Sequence, residues 1–311
     1  MLLHNADGTP DKAHPPVESV FVHPIIGVEE DGKDLYDCLS ELYLGGAEIE
    51  YDGKKGFKMD LIEKLPPVLY IQMRRSQYDP VKGRQVKINT HVPFERCLAM
   101  DRFLANADPA KRERSIALTR EIMRMRTRRH ELKNHKPMSI PDTFRFIRDA
   151  LATEKTAKAL SEQSDDGDVD LTSEDITQDL LDALAKEGED ADAEIAALEA
   201  AMPRAKEELE AIWAECNSVE YELVSVFVHG GTGTGGHYWT YQADLPKDGN
   251  KFFYYSDDTV KEVPSGDVFC DKSAQGVSPA LLCYVRKDKD LVDTLHREPT
   301  PEGEETAPSS S

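Results

Sequence analysis

Cysteine is scarce in this chain, and no two cysteines stand close together. The five cysteines among the 311 residues are Cys38, Cys97, Cys216, Cys270 and Cys283. The count is odd, the spacing is wide and no Cys-x-x-Cys pair exists, so the sequence indicates neither a zinc site nor a disulfide framework. We therefore expect no metal, no other cofactor, and a reducing compartment, the cytosol or the nucleus.

Long apolar runs and net positive charge are missing as well. No apolar stretch is long enough to cross a bilayer, and the first residues, "MLLHNADGTPDKAHPP", lack the basic flank and apolar centre of a signal peptide. We therefore predict no membrane partner. The chain has 38 Lys and Arg against 59 Asp and Glu, a formal charge of -21. Such an acidic chain is not expected to bind nucleic acid phosphates in general.

The charge is nevertheless uneven along the chain. Residues 111–136 are rich in Arg and Lys, whereas residues 162–194 are strongly acidic. The basic run is either a nucleic-acid patch or a solvated helix face that pairs with the acidic segment. Because runs of charge are usually solvated faces, we favour the second interpretation and predict no nucleic-acid partner.

A first β-rich part is predicted for residues 17–108, after a polar stretch, 1–16, that we expect to be disordered. "VESVFVHPII" predicts a strand, and "DGKDLYDCLSELYLGG" predicts a short helix closed by glycine. The stretch from "AEIEYDGKKG" to "THVPFE" predicts four or five antiparallel strands with turns at "YDGKKG" and "YDPVKGR". Pro66 and Pro67 should mark the start of a strand, since proline cannot donate to a central ladder.

A helical insertion is predicted for residues 109–216, where apolar residues recur every three or four positions. Helices are predicted over 115–133, 138–162, 173–187 and 189–217, and an acidic loop over 163–175. Pro141 should lie in the first turn of its helix, and Pro203 should kink or split the last helix.

Strand patterns return in residues 217–290. Four stretches carry them: "YELVSVFVHGG", "GHYWTYQADL", "KFFYYSDDTVKEV" and "PALLCYVRK". The tail, 291–311, is of low complexity and is expected to be disordered. Since each β-rich part alone would leave unpaired strand edges, we expect the two parts to close into one domain.

The stretch "TGTGGHYWTYQ" places His237 directly after a run of glycines, at the start of a predicted strand. A general base must be exposed, oriented and near a nucleophile. The hairpin-like connection "ADLPKDGN" should bring Ser256 and Asp257, in "YYSDD", to the end of the strand that holds His237. The alternative is an ordinary turn histidine with "SDD" capping a loop, and spacing alone favours this alternative, because short motifs have many chance matches.

A wider set of motifs resembles the histidine box of the ubiquitin-specific proteases. The segments "VSVFVHGGTGTGGHYWTYQ", "FYYSDDTVKEV" and "SPALLCYVRK" follow that family's order, and "DLYDCLSEL" and "LPPVLYIQMRRSQYDPVKGRQVKINTHVPFE" are similar to its upstream part. The matches cover roughly residues 20–104 and 217–287. The resemblance implies an α+β, papain-like cysteine protease fold, here the palm and fingers portion with a helical insertion. It also implies hydrolysis of the bond after the C-terminal glycine of ubiquitin, with ubiquitin and ubiquitinated proteins as partners.

The resemblance assigns roles to individual residues. His237 would be the general base, with Ser256 at the orienting position, where the family usually has Asn or Asp. Asp257 matches the following acidic position and would supply charge. Gly235 and Gly236 would let the loop lie beside the narrow channel for the Gly-Gly tail of ubiquitin, and Tyr238 would also contact substrate. His229 is interpreted as structural or as a loop contact.

The family's nucleophile is missing from the matched residues. Its Gly-Asn-Thr-Cys segment has no counterpart in this sequence, and we interpret each of the five cysteines as a small buried hydrophobe. We rank three explanations: a fragment of a longer enzyme, a catalytically dead relative, and a second polypeptide that supplies the cysteine. The chain alone is therefore expected to be inactive, and the alternative function is that of a catalytically inactive ubiquitin-binding or scaffold protein.

The helical insertion is extra to the family's core. It is either a docking arm for an adaptor, a ubiquitin ligase or a second ubiquitin, or an elaborated crossover packed on itself. Apolar stripes at helical spacing usually form core, so we favour the crossover.

Overall fold

The computed structural model describes residues 2–5, 13–161 and 177–288. The chain divides into two compact units, one formed by Met1–Ile116 with Ile212–Ser311 and the other by Ala117–Ala211. The predicted acidic loop, 163–175, and the predicted disordered tail, 291–311, lie outside the described residues.

The described part of the first unit is mostly β-structure, with two short helices that lie wholly within it. Its helices are α1 (Leu35–Ser40), which continues as a π-helical turn over Glu41–Gly45, and α5 (Ser265–Phe269). Its strands are β1 (Leu2–Asn5), β2 (Ile25–Gly27), β3 (Ala47–Tyr51), β4 (Lys54–Met59), β5 (Val68–Arg74), β6 (Ser76–Asp79), β7 (Arg84–Lys87), β8 (Cys97–Ala99), β9 (Glu220–Gly231), β10 (Gly236–Asp244), β11 (Asp248–Ser256), β12 (Thr259–Pro264) and β13 (Val277–Arg286).

The two β-rich parts of the sequence meet in one eight-stranded sheet. Its order is β12-β11-β10-β9-β13-β5-β2, and β8 pairs with β9 off this path. The last strand of the chain, β13, lies between β9 and β5 and is antiparallel to both. The prediction that the two parts close on each other is therefore confirmed.

The core lies under one face of this sheet. In β5, Leu69, Ile71 and Met73 are buried and alternate with exposed residues, which is the period-two pattern of a sheet with one face on the core. Burial of each such side chain contributes about 1.5–3 kcal/mol. Tyr221 of β9 and Tyr284 of β13 are buried in the same core.

The predicted hairpins and the proline position are confirmed. β3 and β4 are joined at Tyr51↔Lys54 through Asp52 (φ 49°) and Gly53 (φ 70°), a left-handed pair that suits a tight hairpin. β6 and β7 form a separate two-stranded hairpin. β5 begins at Val68, directly after Pro66 and Pro67.

Two predictions near the N-terminus are wrong. The stretch 17–26 is not one strand, since only Ile25–Gly27 pairs, with β5, and the side chains of Val20 and Val22 are 99% and 88% exposed. Apolar β-type residues form a strand only where a partner edge and a core face are available. Conversely, Leu2–Asn5 is a strand paired with β4, so the predicted disorder of residues 1–16 does not hold there.

The second unit is helical and lies within the predicted insertion. The helices that contribute to it are α2 (Pro109–Lys133), α3 (Ile140–Ser161) and α4 (Gln178–Trp213). Ion pairs join Arg128 to Glu194 (2.7 Å) and Lys133 to Glu199 (2.9 Å), which agrees with the interpretation of the basic run as a solvated face. None of the helices described has the length and apolar composition needed to span a membrane.

The helix boundaries correct one prediction in this unit. Pro141 is the second residue of α3, as predicted. Pro203 lies inside α4, a single helix that spans the two helices predicted, so Pro203 does not split its helix. Proline removes one backbone donor, but the neighbouring residues, "AALEAAMPRAKEELEA", are strong helix formers and favour a continuous helix.

Candidate active site

The glycine-rich loop joins β9 to β10 and places His237 at the second position of β10. Gly231 pairs with Gly236, and Gly230 pairs with His237. The backbone N–H of Thr232 donates to the carbonyl of Gly235 (2.8 Å), which closes the loop as a tight turn. His237 therefore sits at the mouth of this turn, with its side chain half exposed.

Ser256 is the hydrogen-bonding partner of His237. The Nε2 atom of His237 lies 2.6 Å from the Oγ atom of Ser256. The contact follows from strand register, since Thr240 pairs with Tyr255 and Ser256 is then a diagonal neighbour of His237 on the same face. The imidazole is thus oriented by β11 while one of its edges stays accessible.

Asp257 is a more distant neighbour of the same ring. Its Oδ2 atom lies 3.7 Å from Nε2 of His237, and its side chain is 81% exposed. It occupies the turn between β11 and β12, with Ser256 paired to Thr259 and a left-handed φ of 49°. The stretch predicted as one strand signal, "KFFYYSDDTVKEV", is therefore two strands, and Asp257 contributes an exposed charge that water screens.

Trp239 is a site residue that sequence reasoning missed. Its ring stacks against that of His237, with centroids 6.1 Å apart and planes 24° apart. A Cβ atom at Gly230 would lie 2.9 Å from Cη2 and Cζ3 of Trp239, so this glycine makes room for the indole. The available signal was the spacing, because residues two apart on a strand share a face.

The two glycines before His237 stand in different surroundings. A Cβ atom at Gly236 would lie 2.3 Å from both the carbonyl oxygen of Gly230 and Nε2 of His229. A Cβ atom at Gly235 would meet nothing within 4 Å. Packing within the fold therefore requires glycine at position 236 and not at position 235.

Tyr238 lies on the opposite face of the sheet from His237, as strand alternation dictates. Its side chain is 66% exposed, and its ring centroid is 4.5 Å from that of His229. Burial, together with the charge of Lys87, lowers the pKa of His229. His229 thus packs at the base of the loop.

The cysteines differ in burial, which corrects one prediction. Cys38 and Cys283 are buried, as predicted, and burial raises the pKa of the Cys38 thiol to about 12. Cys270 is exposed, because it follows α5 in a surface loop, and Cys97 and Cys216 are half-buried. Although the structure describes all five cysteines, none of them is hydrogen-bonded to His237.

No metal centre competes for this assignment among residues 2–5, 13–161 and 177–288. No group of three or more His, Cys, Asp or Glu side chains in those ranges could hold a metal ion.

Comparison of this sequence with known proteins identifies ubiquitin carboxyl-terminal hydrolases as its relatives. The sequence profile of the family described as ubiquitin carboxyl-terminal hydrolase matches residues 52–284. The chain is similar to the probable ubiquitin carboxyl-terminal hydrolase 2 of Schizosaccharomyces pombe, with 29% identity over 90% of this chain and 23% of that protein. It is also similar to ubiquitin carboxyl-terminal hydrolase 2 of Saccharomyces cerevisiae, with 23% identity over 87% of this chain and 21% of that protein.

The chain thus spans less than a quarter of the length of these two relatives. Among solved structures, a SAGA Ubp8/Sgf11/Sus1/Sgf73 deubiquitinating module bound to ubiquitin aldehyde is similar at 14% identity. The match covers 86% of this chain and 36% of that one, with a TM-score of 0.43.

Proposed function

Since this chain belongs to the ubiquitin carboxyl-terminal hydrolase family, with its α+β, papain-like fold, we propose that it carries the general-base part of a deubiquitinase active site. The reaction is hydrolysis of the isopeptide or peptide bond after the C-terminal glycine of ubiquitin. The observation that supports this proposal most directly is the 2.6 Å contact between His237 Nε2 and Ser256 Oγ, immediately after the glycine loop.

The contact also suggests which imidazole nitrogen does the chemistry. A neutral imidazole has one N–H donor and one acceptor nitrogen. If Nε2–H donates to Ser256 Oγ, the basic nitrogen is Nδ1. Nδ1 of His237 takes the proton of a cysteine thiol as the sulfur attacks the carbonyl carbon of the last glycine of ubiquitin. The same proton then goes to the departing amine, and water hydrolyses the resulting thioester.

We further propose that the nucleophile is none of the five cysteines described above. Cys38 and Cys283 are buried, and the hydrogen-bonding partner of the exposed Cys270 is the carbonyl of Asp267 (3.5 Å), not His237. The test is incubation of the 311-residue chain with ubiquitin that bears a thiol-reactive C-terminal group. No adduct is expected, whereas mass-spectrometric detection of an adduct at any of the five cysteines would refute this part of the proposal.

The catalytic role of His237 is tested on the protein in the form in which the cell produces it. Cleavage of a ubiquitin-fluorophore amide by that polypeptide should fall by at least about 10²-fold in His237→Ala, the usual contribution of a positioned acid or base. His23→Ala is the matched control, because His23 contacts Gln72, outside the candidate site, and should leave the rate unchanged. Equal rates for wild type and His237→Ala would refute the assignment.

A second candidate function is binding of ubiquitin without catalysis, as a scaffold. The absence of a hydrogen bond between His237 and any of the five described cysteines favours it. Titration calorimetry with ubiquitin, combined with the cleavage assay, separates the two functions. Binding with no cleavage by the cell-made polypeptide would support the scaffold, and cleavage that depends on His237 would support the enzyme.

A further inference from the structure

We infer that Lys87 is a positioning residue that couples the β6–β7 hairpin to the glycine loop before His237. Its Nζ atom donates to the backbone carbonyl of His229 (2.8 Å) and to that of Gly276 (2.6 Å). Lys87 is the last residue of β7, His229 lies near the end of β9, and Gly276 directly precedes β13. One ammonium group thus holds three segments that are distant in sequence.

The two carbonyls lie at the base of the loop that presents His237. The carbonyl of Gly276 also accepts the backbone N–H of Gly231 (3.1 Å), the residue at which the loop leaves β9. His229 precedes Gly230, which pairs with His237 across β9 and β10. A displacement of Lys87 is therefore transmitted to the backbone opposite His237.

A second contact joins the same two elements near the tip of the loop. A Cβ atom at Gly233 would lie 2.6 Å from the carbonyl oxygen of Gln85 and 3.0 Å from Cα of Val86. The loop thus lies directly on the backbone of β7. The β6–β7 hairpin forms a two-stranded sheet of its own, and isolated hairpins are only marginally stable. Contacts such as those of Lys87 therefore help to fix the hairpin to the eight-stranded sheet.

The charge of Lys87 distinguishes this contact from simple packing. Both acceptors of Lys87 are carbonyl dipoles, and no ion pair with a carboxylate involves it among the described residues. Burial, and then the positive charge of Arg75, lowers the pKa of Lys87 to about 8. Partial burial of a cation without an opposite charge is unfavourable, so an apolar residue would serve better if packing were its only role.

The coupling of the hairpin to the loop through Lys87 does not depend on the proposed function. Only its expected effect on ubiquitin binding rests on that function. The loop leads directly into His237, so fixing the loop to the hairpin also fixes the backbone that precedes His237. Lys87→Met should loosen both elements. Arg84→Met is the matched control, because Arg84 lies on the same strand, carries the same charge and is exposed.

Hydrogen exchange on the full 311-residue chain tests the coupling. In Lys87→Met, amide exchange in peptides covering 229–237 and 76–87 should accelerate about ten-fold or more, since charge-assisted hydrogen bonds are lost. The imidazole ¹⁵N signals of His237 should shift as well, which would not follow from a general loss of stability. Arg84→Met should leave both readouts as in the wild type.

A second variant and a separate titration keep the outcomes distinct. Lys87→Gln retains a donor for one carbonyl, should show an intermediate effect, and decides the question if Lys87→Met does not fold. Exchange over 229–237 that stays unchanged in the folded Lys87 variants would overturn the inference. Ubiquitin titration of the wild type tests the proposed function independently: absence of binding there would count against the function, while the exchange data would still decide the coupling.

Discussion

Gly235 and Gly236 are adjacent, yet the structure predicts opposite responses to alanine. At Gly236 the new methyl group would stand 2.3 Å from the carbonyl oxygen of Gly230 and from the imidazole of His229. The carbonyl belongs to a paired strand and cannot move freely, so the substitution forces a backbone shift. At Gly235 the methyl group would enter open space, and the backbone there is not left-handed.

The magnitudes follow from these surroundings. Overpacking in a well-ordered region costs about 1–3 kcal/mol, so Gly236→Ala should lower the free energy of unfolding by about 1–3 kcal/mol. Gly235→Ala should change it by less than about 0.5 kcal/mol, or raise it by up to about 1 kcal/mol, because alanine reduces the conformational freedom of the unfolded chain.

Urea denaturation followed by tryptophan fluorescence measures both effects. The chain has two tryptophans, so a Trp213→Phe background leaves Trp239, beside the site, as the only reporter. Equal destabilisation by the two alanines, or no effect of Gly236→Ala, would refute the account of the loop. The pair also separates folding from binding: under the proposed function, Gly235→Ala should weaken ubiquitin binding without loss of stability, because a ligand and not the fold then requires glycine there.

Three further predictions follow. Alkylation near pH 8 should modify Cys270 first and Cys38 last, since a pKa of about 12 leaves roughly one Cys38 thiol in ten thousand ionised; mass spectrometry over time checks the order, and early labelling of Cys38 would contradict it. The pKa of Lys87 should be near its ordinary 10.5 in the unfolded chain and is about 8 in the folded chain. Between these pH values the unfolded chain binds more protons, so the free energy of unfolding of the wild type, relative to that of Lys87→Met, should rise with pH. Urea denaturation measures this difference, and a fall with pH would contradict the predicted sign. Ser256→Ala removes the hydrogen bond to His237, so it should lower the free energy of unfolding by about 0.5–1.5 kcal/mol and let the imidazole populate both tautomers. The ¹⁵N signals of the ring report the tautomers, and signals identical to the wild type would show that Ser256 does not orient the ring.

Much of the candidate site could be predicted from local sequence. The glycine run, the histidine that follows it and the hairpin to "SDD" are features of one short stretch, and strand register carries them directly into the contact between His237 and Ser256. Choosing between Ser256 and Asp257 was not possible from spacing, because it depends on where β11 ends and the turn begins. That boundary is set by the pairing of Ser256 with Thr259.

Other features had no local signal. "VESVFVHPII" has the composition of a strand, but most of it finds no partner edge, whereas Leu2–Asn5 pairs with β4. Proline usually kinks or breaks a helix, but strong helix formers on both sides of Pro203 keep α4 continuous. In each case a rule about single residues is overridden by the neighbours that the residue actually meets.

The sequence by itself determined the alternation that makes strands, the spacing that makes helices and the order of motifs that identifies the family, since each is written within a few residues. Only the tertiary structure decided which groups meet across long separations. It placed the ammonium of Lys87 on the carbonyls of His229 and Gly276, and it stacked Trp239 on His237 above Gly230. The reason is physical: a hydrogen bond to a distant carbonyl, and the space available for an aromatic ring, depend on how whole strands pair and pack. No short window of sequence contains that arrangement.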